Sequence, residues 1–91
     1  MNFILICLTS IIHYNYGLCL LQIGKIKKAK DVLKKAITLD QTQPTFFITL
    51  AEAAVADGDI DLAIQSLETG ITRVPLEGTL HQRKAMLLQT T

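Results

Sequence analysis

His13 and His81, Cys7 and Cys19, and the alternating carboxylates Asp57, Asp59 and Asp61 are the residues of this sequence whose types could hold a metal or move a proton. The aspartates resemble a calcium loop in their alternation, but they are expected to lack both the later glycine and the terminal glutamate of such a loop. Turn and cap duty accounts for them better. The cysteines lie in apolar surroundings, with neither CxxC spacing nor an adjacent histidine, so they read as small hydrophobes and imply no disulfide framework. No glycine-rich phosphate loop, HExxH, GxSxG or paired-cysteine zinc pattern occurs. The expected activity is therefore non-enzymatic, with no cofactor and no metal.

The remaining concentration of chemistry is cationic. The stretch GKIKKAKDVLKKAI, residues 24–37, holds six lysines among apolar residues spaced three and four apart. On a helix, Ala29, Val32, Leu33, Ala36 and Ile37 form one buried stripe, and the lysines fall outside it. Lys27, Asp31 and Lys35 then stand at i, i+4 spacings, which support a solvated face by a few tenths of a kcal/mol each. Lys25, Lys27 and Lys28 occupy the first helical turn, where the macrodipole disfavours cations by roughly 0.3–1 kcal/mol each. That unfavourable placement points to an external use, and Lys27, Lys28 and Lys34 are the candidate contacts to an acidic partner. Nucleic acid is the weakest such partner, because the whole chain carries a net charge of only +1 and no aromatics interleave with arginines.

The elements that position these residues are clearest in PTFFITLAEAAVADGDIDLAIQSLETGITRVP. Phe46, Phe47, Leu50, Ala51 and Ala54 make one helical face, and Ile60, Ala63, Ile64, Leu67 and Ile71 make a second. Between them, Gly58 can take the left-handed conformation that closes the first helix and Asp59 can cap the next. Pro75 stops the second helix, since its ring removes a backbone donor. Sliding the chain on itself by 34 residues sets Gly24 on Gly58, Ile26 on Ile60, Ala29 on Ala63, Leu33 on Leu67, Ile37 on Ile71 and Gly17 on Ala51. The hairpin is repeated. The predicted organisation is an apolar segment at 1–9, one unit at 10–43, a second at 44–77, and a cap helix or partial third unit at 78–91.

A 34-residue helix-turn-helix unit with small residues at its eighth, twentieth and twenty-seventh places resembles the tetratricopeptide repeat (TPR) family. Here those places hold Gly17, Ala29 and Ala36, then Ala51, Ala63 and Gly70. The sequence departs from the family pattern where Leu20 and Ala54 replace an aromatic and Gln41 a proline. The resemblance implies an all-α fold, with antiparallel helix pairs stacked as a short right-handed solenoid that ends in a cap helix. It also implies a binding groove along the first helix of each unit. The places lining that groove would be Asn15, Leu18 and Gln22 in the first unit. Thr45, Ile48, Thr49, Glu52 and Val55 follow in the second, with Gln82, Arg83 and Met86 in the cap. This lining is mixed and nearly uncharged, suited to a protein or peptide segment. Some family members clamp a C-terminal carboxylate with lysines and asparagines. Tyr14, Leu18 and Thr49 stand at those places here, so no such clamp is expected. The two histidines fall two units apart, about 20 Å in a stack, too far to share a metal.

Length and composition bound the rest. A 91-residue chain with 49% apolar residues suits one domain at most, one that buries only about 60–65% of its unfolded surface unless it stacks on something. Homo-oligomerisation, through an apolar first helix, is one way to do so. Residues 1–24 contain no formal charge and precede the lysines, as a membrane span with a cytosolic flank would. HYNYG at 13–17 would set polar groups near a bilayer centre, which is costly. A secretory signal lacks its basic start and cleavage site. The leading expectation is a cytoplasmic protein-interaction module or part of a larger array. The alternative is a membrane-anchored assembly factor with residues 3–23 in the bilayer.

Overall fold

The structure is a computed structural model that describes residues 3–90. It is all-helical, in the order α1 (Phe3–Gln22), α2 (Ile26–Leu39), α3 (Pro44–Ala56), α4 (Ile60–Arg73) and α5 (Gly78–Thr90). Residues 1 and 2 of the expected apolar segment and Thr91 of the expected cap segment lie outside the described residues. Each helix packs mainly on its neighbours in sequence, and α3 also touches α1 and α5. This local pattern is that of a stacked repeat, a slab 41 × 32 × 15 Å in extent.

The turns follow from local chemistry. At the end of α1, Gly24 takes φ +85°, its N–H donates to Leu21 O and the Lys25 N–H to Leu20 O. Thirty-four residues on, Gly58 takes φ +77°, its N–H donates to Val55 O and the Asp59 N–H to Ala54 O. Both are Schellman ends, which need a left-handed residue that glycine supplies without a Cβ penalty. Asp59 caps α4, its Oδ1 accepting from the Leu62 N–H at 3.0 Å. Lys25 holds the equivalent place before α2 and has no side-chain acceptor to offer. Pro44 opens α3, where its missing N–H is an orphan anyway. Pro75 follows the end of α4.

The core gathers around α3, which buries Phe46, Phe47, Thr49, Leu50, Ala51, Ala53 and Ala54. One cluster joins Phe47, Ala51 and Ala54 to Ala63 and Leu67 of α4 and Leu80 of α5; a second joins Leu33 of α2 to Leu50 and Ala53. The small residues have a visible purpose. A Cβ on Gly17 would lie 2.8 Å from Leu33 Cδ2, and one on Gly70 would lie 2.9 Å from Phe47 Cγ. The expected stripe of α2 is inward, with Ala29, Leu33 and Ala36 fully buried and Val32 and Ile37 half-buried.

The first helix differs from the others. It runs unbroken from Phe3, so residues 3–9 extend the helix that carries Ser10, Gly17 and Leu20 into the core. It has the length and hydropathy of a membrane span, yet it is packed against α2 along its buried side.

Candidate peptide-binding groove

The sides of α3 and α5 that face each other leave a cavity of about 250 Å³. Ile48, Ala51 and Val55 of α3 form one wall, Met86 and Leu87 of α5 the other, and Leu67 of α4 the floor. The α3 residues recur at three and four places, so α3 offers one continuous stripe to the groove. Glu52 and Arg83 bridge the rim, the guanidinium Nη1 donating to Glu52 Oε1 at 3.0 Å. Both side chains are about half exposed, 53% and 46%, so water screens the pair and a ligand can separate it at little cost. The arrangement has an apolar floor, apolar walls and one dipolar pair at the mouth. It can take up an apolar side chain while answering the polar backbone around it.

Five of the eleven groove residues expected from the resemblance come together at this cavity: Ile48, Glu52, Val55, Arg83 and Met86. Asn15, Leu18, Gln22, Thr45 and Gln82 do not line it. Thr49 is buried, 5% exposed, because Tyr14 reaches over from α1. The two hydroxyls lie 3.0 Å apart, and the Tyr14 ring stacks on Phe46 with centroids 4.8 Å apart at 25°. This contact closes the α1–α3 side of the groove and leaves the α3–α5 side open. Ala51, Leu67 and Leu87 complete the lining and were not expected there. Ala51 and Leu67 read in the sequence as core, which they also are, since a groove floor is core seen from one side.

The lysines meet the next hairpin at its turn rather than at the equivalent place of its second helix. Equivalent places in stacked units would set Lys27 beside Asp61, whereas the ion pair that forms joins Lys30 Nζ to Asp57 Oδ2 at 2.6 Å. The reason is the stacking offset: α2 packs on α3, not on α4, and so meets the α3–α4 turn. The hydrogen bond from Lys30 holds the Asp57 carboxyl below the usual carboxylate range, and the same bond holds the Lys30 ammonium above its own. Among the described residues, Lys27, Lys28 and Lys34 make no ion pair with a carboxylate. Lys28 lies over the Tyr16 ring, 5.9 Å from its centroid, and Lys34 stands at a second, smaller cavity between α2 and α4.

The metal-type residues are spent on structure. His13 Nδ1 lies 2.8 Å from Thr9 O and His81 Nε2 lies 3.1 Å from Pro75 O. Glu68 does fall where the last carboxylate of a calcium loop would, counting from Asp57. But α4 is helical from Ile60, which carries Glu68 about 10 Å up the axis from Asp61. Among the described residues no cluster of three metal-type side chains forms. Cys7 and Cys19 are both free thiols.

Comparison with known proteins agrees with this geometry. The tetratricopeptide repeat family model matches residues 11–43. No curated protein matches the chain. Among solved structures, the chain is similar to the Yersinia enterocolitica type III secretion chaperone SycD in complex with a peptide of the translocator YopD, with a TM-score of 0.78 and 28% identity. The alignment covers 90% of this chain and 63% of the SycD chain, so this chain spans under two thirds of that protein's length. With a family match on the first hairpin, a second hairpin closed by the same glycine turn and a chaperone as structural neighbour, residues 11–43 match a tetratricopeptide repeat and the chain is folded as a tetratricopeptide-type helical array.

Proposed function

We propose that this chain is a non-enzymatic interaction module that binds a protein or peptide segment in the groove between α3 and α5, alone or as units of a larger array. The observation that carries the reading is the open apolar cavity between Ile48, Val55 and Met86, with its exchangeable Glu52–Arg83 pair at the mouth. A single aliphatic side chain filling such a cavity contributes about 1.5–3 kcal/mol. A longer segment would add backbone hydrogen bonds at the rim. The similarity to SycD, a chaperone seen with a translocator peptide, supports a peptide as the kind of partner. A cytoplasmic setting belongs to the same proposal.

Selection from a displayed random-peptide library, followed by titration of the selected peptide, tests the reading. Val55 and Met86 are exposed, 41% and 54%, so Val55→Asp and Met86→Asp leave the core intact. Each is expected to weaken the peptide by roughly tenfold or more, since about 1.4 kcal/mol of lost burial is one decade, while circular dichroism stays unchanged. Charge reversal of Lys34, on the α2–α4 side, should leave binding alone. Equal loss from Lys34→Glu and none from the groove variants would move the site to the lysine face and end this proposal.

A further inference from the structure

Among the described residues, the outer face of α1 carries a run of exposed large apolar side chains. Leu5, Leu8, Ile12, Tyr16 and Cys19, with Ile23 just past the helix end, recur every three or four residues, so they share one side. All six are exposed, Ile12 by 65% and Ile23 by 66%. Contiguous exposed apolar surface of this kind marks an interaction site.

The charge around it indicates what covers it. Before residue 40 the chain carries six lysines and one carboxylate, Asp31; from residue 40 onward it carries seven carboxylates against Arg73, Arg83 and Lys84. The near-zero total thus hides a basic half, net +5, and an acidic half, net −4. Such asymmetry between halves signals an anionic surface as partner. The basic groups adjoin the apolar face. Lys28 lies over the ring of Tyr16, in the middle of the stripe, and Lys25, Lys27 and Lys28 rim one open depression beside Gly24. The one carboxylate in that depression, Asp57, is already held by Lys30.

We propose that the outer face of α1 seats the chain on an anionic lipid surface, its apolar stripe in the headgroup–acyl boundary and Lys25, Lys27 and Lys28 on the lipid phosphates. A helix that lies in the interface needs one apolar face with cations at its edge, and Tyr is at home at that depth. A second copy of the chain fits less well, because pairing two α1 faces brings two basic halves together. Nucleic acid has no use for a stripe of Leu and Ile. A span would require α1 to leave α2, exposing Leu33, Ala29 and Ala36, which are now fully buried.

Flotation of the purified full chain with phosphatidylcholine vesicles, with and without phosphatidylglycerol, tests the proposal. The chain is expected to float only with the anionic vesicles, less so as salt is raised, and to be released by alkaline carbonate. Neutralising Lys25→Gln or Lys28→Gln should weaken partitioning on the order of fivefold each. The double variant Leu8→Asn with Ile12→Asn, on exposed positions, should abolish it without loss of helicity. Four outcomes overturn the proposal. Resistance to carbonate would make α1 a span. Equal flotation with neutral vesicles would remove the role of the lysines. Binding that survives Leu8→Asn with Ile12→Asn would reduce the site to diffuse charge. No flotation, together with a dimer in sedimentation equilibrium that Ile12→Asn dissolves, would assign the face to a second copy.

Discussion

Gly70 shows how single atoms set the spacing of this array. A helix interior normally favours alanine over glycine by about 1 kcal/mol. At Gly70 the added methyl would meet Phe47 Cγ at 2.9 Å, Phe47 Cβ at 3.0 Å and Leu80 Cδ2 at 3.2 Å, and the two Phe47 atoms sit near the backbone and cannot swing aside. Overpacking of this sort costs about 1–3 kcal/mol. Gly70→Ala is therefore expected to lose up to about 2 kcal/mol net in urea unfolding, whereas a gain would mean that α3 and α4 are free to separate. The eighth- and twenty-seventh-place residues were legible in the sequence as small. Which side chain each one makes room for was not, because Leu33 and Phe47 come from other helices. Thr49 carries the same lesson: its place on α3 suggested a groove residue, and only the approach of Tyr14 from α1 buries it.

At the scale of the element, the two hairpins form a built-in comparison. Asp59 before α4 and Lys25 before α2 have similar backbone angles, φ −100° and ψ 79° against φ −87° and ψ 69°. Asp59 accepts a hydrogen bond from the first turn of its helix and Lys25 cannot. Asp59→Ala should cost about 1 kcal/mol. Lys25→Asp should install the missing cap and relieve a cation at a helix N-terminus, for a gain of about 0.5–1 kcal/mol read from the shift in thermal midpoint. If Lys25→Asp stabilises the chain but weakens vesicle flotation, the lysine is retained for its contact rather than for the fold. These helix ends were legible because glycine turns, caps and prolines act within four or five residues of themselves. The start of α1 was less so. The repeat pattern begins near Ser10, but the uninterrupted apolar run upstream has nothing in it to stop a helix before Phe3.

At the scale of the whole molecule, the Lys30–Asp57 pair ties the first hairpin to the second, and it has a definite pH dependence. Asp57 titrates lower when folded than unfolded, so its contribution is complete above about pH 4 and is lost as the pH falls through the lower, folded value. Lys30 titrates higher when folded, so its contribution is complete below about pH 10 and is lost as the pH rises beyond that. Asp40 adds to the acid side; burial works against its ionised form, but hydrogen bonds from Thr42 and Gln43 outweigh that and hold its carboxyl low. Urea midpoints of the parent and Asp57→Asn should therefore differ at neutral pH and converge as the pH falls through the lowered, folded Asp57 value. A constant difference would mean the pair is not what Asp57 contributes. The sequence by itself determined the helices, their ends apart from the start of α1, the period and the segregation of charge, since each of these depends on residues close in the chain or on composition. The tertiary structure decided which lysine meets which aspartate, which half of the groove stays open and which face of α1 is left uncovered. Those outcomes depend on how far one hairpin is offset from the next, a quantity set by the summed packing of Leu33, Phe47, Leu67 and Leu80 between helices. No local spacing in the chain encodes it.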